Sequence, residues 1–181
     1  MTFEYLKSMS GGMDKNAVLT DMMLAYGEDV WNYAFFLSRN RTLADDVTQD
    51  VFVRVYERLY TFRGEASVKT WLLAITRNLV RDHWRSSWIR RVIPFGILQL
   101  EGQGPSAESQ AIDALVEEEV WNTVLGLPFK LREVLLLHAH HQLSYAEIAK
   151  LLNVSEGTVK SRLSRARAKV SRQLGKEGRK A

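Results

Sequence analysis

Lys160, Arg162, Arg165, Arg167 and Lys169 crowd one segment near the C-terminus. Their ammonium and guanidinium groups could donate charge-assisted hydrogen bonds to phosphates and to base edges. A second basic set, Arg77, Arg81 and Arg85, recurs every four residues with Trp84 and Trp88 beside it. Cations that follow phosphates and rings on which bases stack suit single-stranded nucleic acid. Tryptophans in a core and arginines that merely solubilise would give the same pattern, and the segment alone leaves both open. A third set is polar: Asp45, Asp46, Gln49, Asp50 and Arg54 fall on the outer side of an apolar stripe. Asp50 and Arg54, four apart, could simply pair on a solvated face. His138, His140 and His141 form a cluster that invites a metal, but only the first and last share a helix face. No nearby carboxylate in the sequence completes a shell, so no metal is expected. With no phosphate-cradling glycine loop and no nucleophile elbow, we expect neither an enzyme, nor a cofactor, nor a small-molecule substrate.

The elements that must hold these residues are helical throughout. Ser144 and Glu147 have capping-box spacing, so a helix should begin near Tyr145, with Ile148, Ala149, Leu151 and Leu152 on one face. Asn153 and Val154 break it, Ser155 can cap the next helix, and that helix buries Val159 and Leu163 with its cations turned outward. A short helix propping up a basic one is the layout of a helix-turn-helix. Upstream, helices are expected over Ala17 to Leu37, over Leu43 to Tyr60 with Thr42 as the cap, and from after Ser67 to about Trp88. In the third, Trp71, Leu72, Ile75 and Leu79 can pack inward. Pro94, Gly96, Gly102, Gly104 and Pro105 mark a linker. Helical patterning resumes near Ala111, stops at Gly126-Leu127-Pro128, and restarts over Lys130 to His140.

The expected fold is therefore all-α: two small helical domains joined by a flexible linker, the C-terminal one a helix-turn-helix. The boundaries are a leader over 1–14, a first domain over 15–92, an acidic linker over 93–110, a second domain over 111–175 and a tail over 176–181. The chain has 181 residues and a formal charge of +4. That charge is uneven. No Lys or Arg lies between Val92 and Phe129, where Glu101, Glu108, Asp113, Glu117, Glu118 and Glu119 fall, and basic residues dominate from Lys130 onward. The asymmetry points to a nucleic-acid partner met mainly through the C-terminal third, with strong salt dependence. There is no cysteine, which fits a reducing cytoplasm and excludes zinc-thiolate sites. No secretory signal is evident, no apolar run approaches the roughly 20 residues that span a bilayer, and no appended sensory domain is expected.

Four blocks in this order resemble the extracytoplasmic-function group of bacterial RNA polymerase sigma factors. They are LADDVTQDVFVRVYERL, FRGEASVKTWLLAITRNLVRDHWR, the linker, and LPFKLREVLLLHAHHQLSYAEIAKLLNVSEGTVKSRLSRARAKV. The resemblance covers roughly residues 18–172. It implies that Asp46, Gln49, Asp50 and Arg54 contact core RNA polymerase. It implies that Arg63, Lys69, Trp71, Asn78, Arg81 and Arg85 serve the −10 element, held open with a base flipped into a pocket. Unpairing costs a few kcal/mol, which the pocket offsets. Lys160, Ser161 and Arg165 match positions that read −35 base edges, and Arg162 and Arg167 look like phosphate contacts. Ser155, Glu156 and Tyr145 would touch bases or backbone nearby. The acidic linker would thread the polymerase cleft, although a plain tether explains its composition equally well. Promoter DNA, core polymerase and a membrane-bound anti-sigma factor are the partners implied, for a cytoplasmic protein associated with the nucleoid. The rival reading is an operator-binding regulator acting as a dimer.

Overall fold

The structure, a computed structural model, describes residues 14–62, 64–90 and 120–177, all of them helical or in short connections. Helix α1 (Lys15–Ser38) opens with the Asp14 carboxylate accepting the Asn16 amide at 2.9 Å and ends at Arg39, which takes a left-handed conformation (φ 59°). That turn leaves Asn40 extended, and its side chain accepts the Leu43 amide at 3.0 Å, opening α2 (Arg41–Arg58). The cap is thus Asn40 and not Thr42, which lies inside the helix. Asparagine outranks threonine at this position, and Asn40 is the residue that carries the required extended backbone. Ser67 caps α3 (Val68–Arg90), accepting the Thr70 amide at 3.1 Å.

Val18, Met22, Val30, Tyr33, Ala34 and Leu37 of α1 pack against Val47, Val51, Phe52 and Val55 of α2 and Leu72, Leu73, Leu79 and Val80 of α3. Trp71 and Ile75, expected to point inward, are only partly buried, and Leu73 and Val80 take the central places. Residues 120–126 form α4, and after Leu127-Pro128 the chain enters α5 (Phe129–Ala139). Proline supplies no cap side chain here but presets the turn. Helices α6 (Tyr145–Leu152) and α7 (Glu156–Glu177) complete the chain. Residues 1–13, Arg63, 91–119 (the linker and the expected helix start near Ala111) and 178–181 lie outside the described residues.

The two helical units share one continuous apolar core, since Val134, Leu137, Leu143, Ile148, Val159 and Leu163 join the same cluster as α1–α3. Polar groups seal the joint. Arg132, 5% exposed, donates from Nη1 to the Leu125 carbonyl (2.6 Å) and from Nη2 to the Leu37 carbonyl (3.1 Å), so it ties the C-terminal end of α1 to α4. Burial lowers its pKa to about 10, which leaves it charged at neutral pH. Glu133, 1% exposed, accepts from Arg77 Nε of α3 at 2.6 Å. His141, 2% exposed, meets Asp29 of α1.

Burial lowers the His141 pKa to about 4, and the His140 charge acts in the same direction. The imidazole is therefore neutral when folded, while the unfolded chain binds a proton below about 6.5. Stability is fully present above that pH and is lost as pH falls from about 6.5 towards 4. Glu133, whose pKa burial raises, works in the opposite sense. Comparing urea midpoints of the parent and His141→Gln across pH 4–7 isolates the histidine: the parent should lose stability faster on acidification, and equal slopes would sink the assignment.

Candidate nucleic-acid interface

The C-terminal site is built from local rules. Ser144 Oγ accepts the Glu147 amide at 3.2 Å, while Glu147 Oε2 accepts the Ser144 amide at 2.9 Å and the Ser144 hydroxyl at 2.7 Å. The hydroxyl bond, then the amide bond, hold the Glu147 carboxyl below its ordinary pKa. Asn153 closes α6 in the left-handed region (φ 54°), and Ser155 caps α7 by accepting the Thr158 amide at 3.2 Å. One face of α7 buries Val159, Leu163 and Ala166. Ser155, Glu156, Lys160, Ser161, Arg165 and Arg167 are all exposed on the remainder, as a groove-entering helix requires. Tyr145 lies half-buried at the foot of α6, its ring 5.0 Å from His138 and 5.8 Å from Lys160 Nζ. Ser161 Oγ donates back to the Thr158 carbonyl at 3.0 Å while the residue stays exposed. Arg162 differs from its neighbours: it is half-buried, and its charge acts on Glu133.

The structure divides the −10 candidates. Asn78, Arg81 and Arg85 lie exposed on α3. Lys69 is held by Asp29 (Nζ–Oδ2 3.0 Å), and Arg77, the first residue of the basic ridge, by Glu133. Trp84 packs edge-on against Phe129 at 5.0 Å, so it is partly core, and Trp71 lies 5.0 Å from Phe62. Phe62 and Trp71 line a cavity of about 340 Å³ whose other wall is Lys150 and Leu151 of α6. Lys150 Nζ also donates to the Glu65 carbonyl at 3.2 Å. The helix-turn-helix thus sits over the connection between α2 and α3 that carries Glu65.

Asp46, Gln49 and Asp50 are exposed on α2, Arg54 is half-buried, and no ion pair joins Asp50 to Arg54 among the described residues. Beside them runs a groove of about 970 Å³ between α1 and α2, lined by Leu19, Met23, Trp31, Phe52, Val53 and Tyr56 with Gln49 on its edge. Met23, Val53 and Tyr56 are 48%, 58% and 39% exposed, an apolar strip of the kind that a protein partner covers. Sequence reasoning missed this groove, because Met23 and Trp31 belong to α1 and were not set beside α2. It also missed Glu133 and Arg132. Their signal was available: two charges inside the apolar run of α5 need partners if that run is buried.

No carboxylate near the histidines in the sequence completes a metal shell, but the fold brings the Asp29 carboxylate against His141. The two residues are far apart in sequence, and only the packing of α5 on α1 joins them.

Two family models match the chain: Sigma-70 region 2 over residues 22–90, and Sigma-70, region 4 over residues 117–170. The probable RNA polymerase sigma factor RfaY of Xanthomonas campestris pv. campestris is 34% identical over 145 residues, 78% of this chain and 36% of that protein. The chain thus spans about a third of that relative's length. The ECF RNA polymerase sigma factor SigC of Mycobacterium tuberculosis is 32% identical over 160 residues, 88% of this chain and 85% of that one. Among solved structures, the sigma factor RpoE in complex with the anti-sigma factor NepR from Bartonella quintana has the same fold. Its TM-score is 0.69 at 23% identity, covering 86% of this chain and 96% of that one.

Proposed function

Because the chain belongs to the sigma-70 family of RNA polymerase sigma factors, in the extracytoplasmic-function group, we propose a division of labour between its two halves. The protein is a promoter-recognising transcription initiation factor that works with core RNA polymerase. Its region 2 docks on core polymerase through Asp46, Gln49, Asp50 and Arg54 together with the apolar groove between α1 and α2. Region 4 lays α7 in the −35 major groove. There Lys160, Ser161 and Arg165 read base edges, and Ser155, Glu156, Tyr145, Arg162 and Arg167 hold the backbone. Arg63, Lys69, Trp71, Asn78, Arg81 and Arg85 engage the −10 strand, with the cavity beside Phe62 and Trp71 as the base pocket. Lys69 is paired with Asp29 of its own half, while Lys150 and Leu151 of α6 wall one side of the cavity, so admitting the −10 strand there requires the two halves to part.

We set the domain limits at 15–92 and 111–175, with leader 1–14, linker 93–110 and tail 176–181, around the matched segments 22–90 and 117–170. No helix among the described residues is long and apolar enough to cross a membrane, which agrees with a cytoplasmic protein at the nucleoid. An anti-sigma factor is the regulator this reading implies; RpoE of Bartonella quintana, which has the same fold, forms a complex with the anti-sigma factor NepR. No catalytic role is part of it.

The observation that carries the proposal is the coexistence of an exposed apolar groove on region 2, with the polar face of α2 beside it, and a basic-faced helix-turn-helix with both helices N-capped on region 4. The test is the affinity of the labelled protein for bacterial core polymerase by fluorescence anisotropy. Asp50→Arg should weaken it at least tenfold, about 1.4 kcal/mol. No binding to core, with tight sequence-specific binding to duplex DNA alone, would instead identify an operator-binding regulator.

A further inference from the structure

His140 and His141 follow the last residue of α5, and the function proposed above gives neither a promoter or polymerase contact. Asp29 reaches them from the middle of α1, in the segment matched by region 2, whereas both histidines fall in the segment matched by region 4. One carboxylate oxygen of Asp29 and one ring nitrogen from each imidazole lie within 4.8 Å of one another. The separation between Asp29 Oδ1 and His141 Nδ1 is 3.2 Å. Two ligands of a tetrahedral cation at bonds of 2.0–2.1 Å stand about 3.3 Å apart, so a hydrogen bond and a shared metal are both compatible with that distance. A shared ion would take Nδ1, the nitrogen that faces Asp29; Nε2, across the ring, is buried with no hydrogen-bond partner and would carry the proton. The rings are also held in place. Tyr33 meets His141 edge-on at 5.2 Å, and Phe36 and Trp121 flank His140 at 6.0 and 5.9 Å.

We propose that Asp29, His140 and His141 form a three-ligand site for a borderline divalent cation, of the zinc, cobalt or nickel type, that joins the two halves of the chain. Two imidazoles and one carboxylate, with no thiolate, suit this class of ion, and water completes the tetrahedron. Lys69 opposes it, since its ammonium sits 3.0 Å from Asp29 Oδ2. The cation therefore takes Oδ1, and its affinity is lower than that of a site without an adjacent positive charge. Because the ligands come from both halves, the bound ion stabilises the arrangement in which Arg77 is paired and the cavity beside Trp71 is covered. Metal concentration would then bias the free protein toward this packed form. None of this depends on the sigma reading, because binding is measured on the protein alone.

The experiment uses the full chain, stripped with a chelator, in two measurements. Isothermal titration with zinc chloride should show one equivalent bound per chain, and thermal unfolding should shift upward with zinc relative to chelator. Cobalt chloride should give the visible absorption of a tetrahedral site. His140→Ala removes a ligand from the end of a helix and should leave metal-free stability near that of the parent, while zinc affinity falls at least tenfold and the thermal shift disappears. Asp29→Asn should weaken zinc to a similar extent, which places a region-2 residue in the shell. Zinc binding unchanged in His140→Ala, or absent in the parent, would overturn the proposal. So would a site lost in His140→Ala but intact in Asp29→Asn, since the ion would then not join the halves. His141→Ala is avoided because its burial makes misfolding a competing explanation.

Discussion

Arg77→Met is expected to destabilise the protein by about 3–5 kcal/mol at neutral pH, the cost of leaving one charge of a buried pair alone. Glu133 is 1% exposed, and Arg77 Nε, 2.6 Å away, is its hydrogen-bonding partner. Burial already raises the Glu133 pKa, and the Arg77 bond and charge are the leading influences that lower it. Without them the carboxyl must either stay ionised in an apolar joint or take up a proton. The loss should therefore shrink as pH falls and Glu133 protonates. Replacing both partners, as Arg77→Met with Glu133→Leu, should recover most of the stability, because apolar groups of similar size are tolerated where an unpaired ion is not. Urea denaturation of the two single variants and the double variant gives the coupling directly. A loss under 1 kcal/mol for Arg77→Met would mean that the pair opens freely to water. The same experiment bears on function, because Arg77 spans the joint between the halves. Variants that weaken the joint should expose the cavity beside Trp71.

The second large effect is expected at promoter DNA. Arg165→Ala should lower initiation from a promoter with an intact −35 element by roughly 5- to 150-fold, the 1–3 kcal/mol that a bidentate guanine contact supplies. Arg165 is exposed on the face of α7 opposite Val159 and Leu163, so its removal leaves the helix-turn-helix core in place. Affinity for core polymerase should stay unchanged. Arg167→Ala is the contrasting variant: a phosphate contact positions without reading sequence, so its loss should be similar on the −35 element and on a scrambled one. Transcription in vitro from both templates, with polymerase affinity measured in parallel, separates the cases. If Arg165→Ala abolished polymerase binding and spared −35 discrimination, the two halves would be misassigned.

Local rules determined much of this protein from sequence alone. The capping box at Ser144 and Glu147, the break at Asn153 and the outward cations of α7 depend on residues within four positions of one another, so their spacing was sufficient to read them. The same is true of the apolar stripe of α2. Thr42 failed because capping depends on backbone conformation as well as residue type, and the left-handed Arg39 passed that role to Asn40. Tertiary structure decided which charges are paired and which rings are enclosed. Trp71, Ile75 and Leu151 are only partly buried because the other half of the chain sets the limits of each face. Glu133 finds Arg77 at a separation of 56 residues, and His141 finds Asp29 at 112. The groove between α1 and α2 likewise exists only once the helices are side by side. Helical periodicity tells which residues share a stripe, but the register of one stripe against another follows from packing over the whole core. The basic helix-turn-helix was therefore legible in the sequence, while the joint that ties it to region 2 was not.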